Sequence, residues 1–326
     1  MRDSPFTQYA GQTTIIGAKK DAQGNADGTQ YDLAKDGAFD GQSIVVLHLY
    51  TGEGFDFVKP QKALEEKGFN VVRFTTPPSP NVLRAELDKA TQVWVISSQN
   101  QVLSEQHIDV ISEFFHKGKG VYIWGDNQPY YVDANRVAQR LIECSMSGNW
   151  HADKVVNEAM KDGDIGFMKH QITTGLEFLY EGITVAEIHY PEEKLYPILR
   201  GSDGRIVSGC YDSDGKRAIL DGGFTRLFLK WDDAGTARFV KNAAAWLVNW
   251  ERFNKQKQRP QTLAQQSTFI DRTKQNKGLK TQLLPKKNQQ APSLQKQTSD
   301  RKNSSGKTPQ DKPRSLRSQG SQWNKD

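Results

Sequence analysis

Short apolar runs alternate with amphipathic segments along residues 43–142. The apolar runs have the length of strands and lie at 43–50, 70–74, 92–97 and 121–124. The amphipathic segments carry apolar side chains at helical spacing and lie at 59–67, 81–90, 104–116 and 130–142. Continuous apolar strands that alternate with such helices are typical of a parallel sheet covered on both faces. This half of the chain therefore predicts an α/β three-layer sandwich with a mostly parallel sheet.

After residue 150 the pattern changes to shorter strands separated by turns. The strands are predicted at 166–168, 184–188, 196–199, 206–210 and 217–220. The pairs Asp203-Gly204 and Asp214-Gly215 predict hairpin connections, because Asp-Gly favours the backbone conformations of tight turns. Apolar side chains recur at helical spacing over 235–250 and predict a closing helix.

Charge divides the chain into an acidic body and a basic tail. Residues 255–326 hold 17 Lys and Arg against 4 Asp and Glu, a formal charge of +13. Residues 1–254 hold 27 against 34, a formal charge of −7. The tail is rich in Gln, Lys and Ser, and its few apolar side chains do not offset the entropy of ordering it. We expect a lead-in segment at 1–42, an α/β domain at 43–254 and a disordered basic tail at 255–326.

The lead-in segment carries one apolar cluster, at 13–16, for which we expect an edge strand or a segment packed on the domain. The two cysteines, Cys144 and Cys210, form neither a disulfide framework nor a metal-ligand spacing. The N-terminus shows no secretory signal pattern, and no apolar run approaches the roughly 18 residues that span a bilayer. We therefore expect a cytoplasmic protein without a membrane span, while export without an N-terminal signal stays open. No metal site is indicated, and no cofactor is identified.

The stretch 120–135 has the order strand, tight turn, helix, which is the order of a nucleophile elbow. In α/β hydrolases and glutamine amidotransferases this corner holds a Ser or Cys at the carboxyl end of a strand. Here the corner holds Gly125, Asp126 and Asn127. Asp126 is a candidate general base, nucleophile or metal ligand. The alternative is that Asp126 caps its helix or bonds turn amides, as Asp commonly does. Asn127 could supply its side-chain amide to a ligand, with the same alternative.

Three stretches give the chain a family resemblance over about residues 43–250. They are Trp-Gly-Asp-Asn at 124–127, His-Gln-Ile-Thr-Thr-Gly at 170–175 and Leu-Asp-Gly-Gly-Phe-Thr-Arg at 220–226. With these stretches the chain resembles the class I glutamine amidotransferase-like, or flavodoxin-like, superfamily, and in particular its ThuA-like and related branches. The second stretch is similar to the His-Pro-Ile-Thr-x-Gly run of ThuA-like domains, with Gln171 in place of Pro.

The resemblance implies the three-layer fold and implies that His170 faces the same crevice as Asp126. His170 would then be a general acid or base, or a ligand-binding group; the alternative is a histidine that orients its own loop. Glutaminase activity is not expected, because amidotransferases carry a Cys at the elbow and neither Cys144 nor Cys210 lies there.

Ligands of open α/β sheets bind at the carboxyl ends of the strands, and that rule selects further candidates. Gly52 and Glu53 lie in a loop whose backbone N–H groups could surround an anion, or in a plain strand-to-helix turn. Asn100 follows the third strand. Arg226 is a candidate for bidentate anion binding, with an internal ion pair to Asp232, Asp233 or Glu181 as the alternative.

Two functions of different classes are consistent with these residues, and the sequence leaves open whether the protein is an enzyme. The first is a non-catalytic binding or scaffolding protein. It would keep the crevice for a small-molecule ligand and use the basic tail to contact a partner, nucleic acid or another polyanion. The second is a hydrolase-like or lyase-like enzyme that uses Asp126 and His170. Neither ligand identity nor oligomeric state follows from the sequence.

Overall fold

The computed structural model describes residues 19–191, 193–231 and 233–250. The predictions for the apolar cluster at 13–16 and for the tail at 255–326 lie outside these residues. All of the described residues fall in one folded unit. None of the helices in these three ranges has the length and apolar character needed to cross a membrane.

An eight-stranded mixed sheet forms the centre of the fold. Its strands are β1 (Ser43–His48), β2 (Asn70–Phe74), β3 (Gln92–Ile96), β4 (Gly120–Trp124), β7 (Gly166–Phe167), β10 (Tyr196–Arg200), β11 (Ile206–Ser213) and β12 (Lys216–Asp221). They follow the order β2-β1-β3-β4-β12-β11-β10-β7. The pairings from β2 to β12 are parallel, and those from β12 to β7 are antiparallel. The predicted hairpins are therefore present and widen the parallel sheet on one side.

Among the described residues, five α-helices cover the two faces of this sheet. They are α1 (Val58–Glu66), α2 (Pro80–Lys89), α3 (Glu105–His116), α4 (Val132–Ile142) and α5 (Thr236–Leu247). Alternate residues of the central strands enter two separate apolar cores: Trp94 of β3 packs with α1 and α5, and Val95 packs with α2, α3 and α4. This period of two confirms the predicted α/β sandwich. The elbow helix begins at Val132, two residues later than predicted, and α5 ends at Leu247.

Two small antiparallel ribbons lie outside the main sheet. One pairs β5 (Ser145–His151) with β9 (Thr184–His189), and the other pairs β6 (Val155–Asn157) with β8 (Phe178–Tyr180). The strand predicted at 184–188 is therefore correct in position, and it pairs in a ribbon. The strands β5, β6 and β8 were not predicted. Their local pattern is weak, since Met146 is the one fully buried side chain of β5.

The described part of the lead-in segment packs tightly on α5 and β8. The side-chain amide of the buried Asn25 pairs with the backbone of Glu177 and Phe178, as a strand would. The buried Asp32 accepts a hydrogen bond from Nε of Arg238 at 2.9 Å. The Leu33 amide donates to Oδ1 of Asn242 at 2.7 Å. Residues 19–42 are therefore an integral part of the folded domain.

Candidate functional site

A crevice of about 320 Å³ lies at the carboxyl ends of β1, β2 and β3. This is the edge where ligands of parallel sheets bind. Its polar lining includes Tyr50, Gly52, Thr75, Thr76, Ser98 and Asn100. No Asp, Glu, Lys or Arg is among the described residues that line it. The crevice therefore offers hydroxyl, amide and backbone groups to a ligand and no formal charge.

Gly52 and Asn100, two residues predicted from the sequence, line this crevice. The Ser98 hydroxyl donates to the Asn100 carbonyl at 3.2 Å and accepts from the Asn100 amide at 3.4 Å, so the turn after β3 is held by its own hydrogen bonds. Burial, with smaller contributions from Glu53, Tyr130 and Asp126, raises the pKa of Tyr50 to about 12. The Tyr50 hydroxyl is therefore neutral and able to donate at physiological pH.

Gly52 is required by the position of the Tyr50 ring. A Cβ atom on residue 52 would lie 2.7 Å from the Tyr50 hydroxyl oxygen and 2.8 Å from the ring carbon that bears it. We predict that Gly52→Ala lowers the free energy of unfolding by about 1–3 kcal/mol, because the ring is forced out of its packed position. In a Tyr50→Ala background the same substitution should lower the free energy of unfolding by much less. Urea unfolding of the four proteins in this cycle measures the coupling, and additive effects would contradict the steric account.

Glu53 is exposed and lies beside the crevice rather than in its lining. Its backbone has φ 52°, in the left-handed region, and Gly54 follows with φ 75°. The amide of Phe55 donates to the Gly52 carbonyl at 3.0 Å, which closes the loop as a turn. The negative charge of Glu53 acts on Tyr50 and helps to raise its pKa. The loop with Gly52 and Glu53 was a candidate for anion binding through its backbone N–H groups. The Glu53 carboxylate at the rim of the crevice would repel an anion and so makes that binding unfavourable.

At the elbow, Asp126 is buried beyond the carboxyl end of β4. Its carboxylate accepts three hydrogen bonds: from the Thr184 hydroxyl at 2.5 Å, from the Asn127 amide at 2.8 Å and from the Thr225 amide at 3.1 Å. Gly125 permits this close packing, since a Cβ atom there would lie 2.5 Å from the Met146 sulfur. Burial raises the pKa of Asp126 to about 7, and hydrogen bonds from Thr184, Asn127 and Thr225 oppose that rise.

These contacts differ from the helix cap that was one interpretation of Asp126. The helix α4 begins at Val132, its N-cap is Tyr131, and the described residues show no side-chain hydrogen bond at that cap. The bond to the Asn127 amide agrees with the turn-amide alternative. The bonds to Thr184 and Thr225 fasten the elbow to distant parts of the chain.

Asn127 lies under the β5–β9 ribbon. Its side-chain nitrogen donates to Oδ1 of Asn149 at 2.7 Å, and the Gln128 amide donates to the Gly148 carbonyl at 2.8 Å. The elbow is therefore hydrogen-bonded to β5 of the ribbon.

Arg226 is completely buried and makes internal contacts. Its Nη2 lies 3.1 Å from Oδ1 of Asp221 and donates to the Glu181 carbonyl at 2.9 Å, and its Nε donates to the Gly223 carbonyl at 3.1 Å. The structure thus shows the internal alternative, but with a different partner. The carboxylate is that of Asp221, and Glu181 contributes its backbone oxygen.

His170 lies away from the elbow, beside Cys210 of β11. Its Nδ1 accepts from the Ile172 amide at 3.2 Å, and its Nε2 lies 3.9 Å from Sγ of Cys210. Cys210 pairs with Ile219, two residues before the end of β12. The described residues show no contact between His170 and Asp126, so the expected meeting of the two in one crevice is not seen. The catalytic roles assigned to these residues stay predictions.

The buried imidazole of His48 and the half-buried imidazole of His170 predict a loss of stability in acid. Burial lowers the pKa of His48 and of His170 from 6.5 to about 4. Neutral imidazole is therefore favoured in the folded state, so the stability is present above pH 6.5 and is lost as the pH falls through 4. We expect each histidine to contribute on the order of 2 kcal/mol to this loss. Urea unfolding at pH 7 and pH 4 should show a smaller loss for His170→Gln than for the parent. The exposed His116→Gln is the control, and an equal loss in His170→Gln would contradict the assignment.

Sequence reasoning missed Thr75 and Thr76, and it did not single out Tyr50 and Ser98, which lie in the same strand-end loops as Gly52 and Asn100. All four lie within two residues of the end of β1, β2 or β3, at the same edge as Gly52 and Asn100. The strand-end rule that selected the two predicted residues would have found them as well. Cys144 and Cys210 are both buried, and within the described ranges no three His, Cys, Asp or Glu side chains are placed to hold a metal ion.

No protein-family model matches the sequence, and no curated protein matches it. Among solved structures, the chain is similar to a putative ThuA-like protein from Bacteroides uniformis, with 11% identity, a TM-score of 0.44 and coverage of 64% of this chain and 91% of that one. It is also similar to a putative GMP synthase component from Thermoplasma acidophilum, with 9% identity, a TM-score of 0.45 and coverage of 66% and 98%. A third similar structure is the glutaminase domain of Trypanosoma brucei CTPS, with 12% identity, a TM-score of 0.34 and coverage of 63% of this chain and 94% of that one. At TM-scores below 0.5, these similarities carry no inference about family, activity, ligand or partner.

Proposed function

We propose that this protein is a non-catalytic binding protein whose crevice at the ends of β1, β2 and β3 holds a small uncharged ligand. The observation that carries the proposal is that different residues at the carboxyl edge line the crevice and hold the fold together. The uncharged side chains line the crevice, whereas Asp126, the elbow candidate for catalysis, and Arg226, the candidate for anion binding, are buried in contacts with the rest of the fold.

Those contacts converge on one segment, residues 181–184, which leads into the β5–β9 ribbon. Arg226 donates to the Glu181 carbonyl, the Thr225 hydroxyl accepts from the Ile183 amide at 3.1 Å, and Asp126 accepts from Thr184. The elbow carboxylate and the guanidinium therefore fasten this segment to the sheet. A carboxylate that already accepts three hydrogen bonds has little capacity left to take a proton from a substrate.

The class of ligand follows from the lining of the crevice. Thr51, Thr75, Thr76 and Ser98 provide hydroxyl groups, and Asn100 provides an amide that can donate and accept. Burial of a charged ligand without a compensating charge is costly, and the nearby Glu53 adds repulsion for anions. A neutral molecule rich in hydroxyl or amide groups is the best match.

A ligand screen by thermal unfolding of the full chain tests this class. The panel holds neutral sugars, ribonucleosides and primary amides on one side, and nucleotides, carboxylates and polyamines on the other. A ligand bound by the folded state alone raises the midpoint by mass action. We expect shifts from the neutral group. Shifts confined to the charged group would overturn the proposed ligand class.

For the basic tail, which lies outside the described residues, we propose contact with nucleic acid or another polyanion. The support is its formal charge of +13 over 72 residues, beside a body of charge −7. Counterion release makes such binding weak and steeply salt-dependent. We predict that single-stranded RNA binds the full chain at 50 mM salt and loses most of its affinity by 200 mM. A chain ending at residue 254 should not bind. Equal binding by both chains would show that the tail is not the contact.

One observation favours the enzyme alternative. Burial places the pKa of Asp126 at about 7, in the range that suits a general acid or base. A hydrolase-like or lyase-like activity that is abolished in Asp126→Asn, with the fold intact, would replace the binding proposal.

A further inference from the structure

Five polar side chains lie next to one another inside the core, below the carboxyl edge. The sheet register places Trp124 of β4 beside Asp221 of β12, and Asp221 beside Ser208 of β11. Tyr122 lies on the same face of β4, and its ring stacks on Trp124 with centroids 4.3 Å apart. The guanidinium carbon of Arg226 lies 6.0 Å from the Trp124 ring. We call these five residues the internal polar cluster.

Every member of the internal polar cluster is completely buried, and each has one polar atom that makes no hydrogen bond of good geometry in the described part of the chain, although the Ser208 hydroxyl is near enough to the Asp221 carboxyl to oppose the rise in its pKa. These atoms are Tyr122 Oη, Trp124 Nε1, Ser208 Oγ, Asp221 Oδ2 and Arg226 Nη1. Folded proteins leave only a few buried polar groups per hundred residues unpaired. Five such groups in one place indicate a shared partner, because a buried polar group without one is strongly unfavourable.

The chemistry of the five atoms defines that partner. The nitrogens of Trp124 and Arg226 can only donate, Asp221 Oδ2 accepts, and the hydroxyls of Tyr122 and Ser208 can do either. The guanidinium of Arg226 lies 3.1 Å from Asp221, so the charges of the pair offset each other. An anion would be repelled by the Asp221 carboxylate, and a cation would be repelled by the Arg226 guanidinium. The partner must therefore be uncharged, and it must both donate and accept.

We propose that the internal polar cluster is a buried hydration site, in which ordered water bridges these five side chains. Water is the smallest molecule that both donates and accepts, and buried water of this kind is a regular part of protein interiors. The site lies below the elbow and is separate from the crevice, since none of the five residues lines the crevice. The hydration site stabilises the strand ends to which the 221–226 loop is attached.

Protein–water NOE spectroscopy on the full chain tests the proposal. The probe is the indole N–H of Trp124, assigned by its loss in Trp124→Phe. We expect a cross-peak to water with the sign of a long-lived bound molecule. The matched control is Trp94, which is equally buried but donates its indole N–H to Oε1 of Gln92 at 3.1 Å. Trp94 should give no such cross-peak. Absence of the cross-peak at Trp124 overturns the proposal.

The direction in which Tyr122→Phe changes the midpoint of thermal unfolding gives a second test. If water bridges the Tyr122 hydroxyl, Tyr122→Phe removes a satisfied hydrogen bond and lowers the midpoint of thermal unfolding by several degrees. If the hydroxyl has no partner, the same substitution removes an unfavourable buried group and raises the midpoint. The exposed Tyr196→Phe is the control and should leave the midpoint unchanged. An unchanged or raised midpoint for Tyr122→Phe overturns the proposal, whatever the NOE result.

Discussion

Asp32→Ala should lower the free energy of unfolding by about 3–5 kcal/mol, the range measured when one partner of a buried ion pair is removed. The Asp32 carboxylate lies 2.9 Å from Nε of Arg238, 2.8 Å from Nζ of Lys67 and 3.5 Å from Nζ of Lys241. The side chains of Asp32 and Lys67 are 2% and 1% exposed. The substitution therefore leaves buried cations without their shared counter-ion and frees the lead-in segment from α5.

Asp36→Asn is the matched control for this prediction. Asp36 also pairs with Lys67, at 2.7 Å, but its side chain is 46% exposed, and Lys67 keeps Asp32 when it is removed. Loss of this partner should cost about 1 kcal/mol or less. Urea unfolding of both variants at pH 7 provides the comparison. Equal losses would show that the carboxylate of Asp32 has no special role in holding the lead-in segment.

Arg226→Met should be similarly destabilising, by about 3–5 kcal/mol, because it leaves the carboxylate of Asp221 buried without its counter-ion. The Glu181 and Gly223 carbonyls lose their donor in the same variant. Burial already raises the pKa of Asp221, and Arg226 is the largest influence that opposes this rise. Without Arg226 the carboxyl should take up a proton more readily, so the variant should regain stability as the pH is lowered.

A second substitution isolates the charge effect at this pair. Asp221→Asn combined with Arg226→Met removes both charges and should recover part of the stability lost in Arg226→Met alone. The exposed pair Arg84 and Glu113 is the control, and Arg84→Met should leave the unfolding midpoint unchanged. A double variant less stable than the sum of its single substitutions would contradict the account.

The parallel half of the fold could be predicted because its strands are buried on both faces. In β1, Val46 packs into one core and Val45 into the other, which produces a continuous apolar run in the sequence. The β5–β9 ribbon could not be predicted in the same way. Most of the side chains of β5 are exposed, and its partner is about 40 residues distant along the chain, so its pairing depends on tertiary contacts rather than on a local pattern.

Residues of the candidate site could be predicted where their location depends only on their position at the end of a strand. Gly52 and Asn100 lie at strand ends, and the structure places both in the crevice. The surroundings of Asp126 depend instead on Thr184 and Thr225, which lie 58 and 99 residues away along the chain. Likewise the neighbourhood of His170 is set by Cys210, 40 residues later. Such contacts have no local signature, so the sequence left the roles of Asp126 and His170 open between chemistry and structure.

The most direct test of the central claim is a calorimetric titration of the neutral compound that gives the largest thermal shift. It is titrated into the parent, Asn100→Ala and Asp126→Asn, each first shown to be folded at the temperature used. We predict that Asn100→Ala weakens binding at least about tenfold, the factor that corresponds to 1.4 kcal/mol. Asp126→Asn should bind with the affinity of the parent. Unchanged affinity in Asn100→Ala together with lost binding in Asp126→Asn would contradict the claim and place the working site at the elbow.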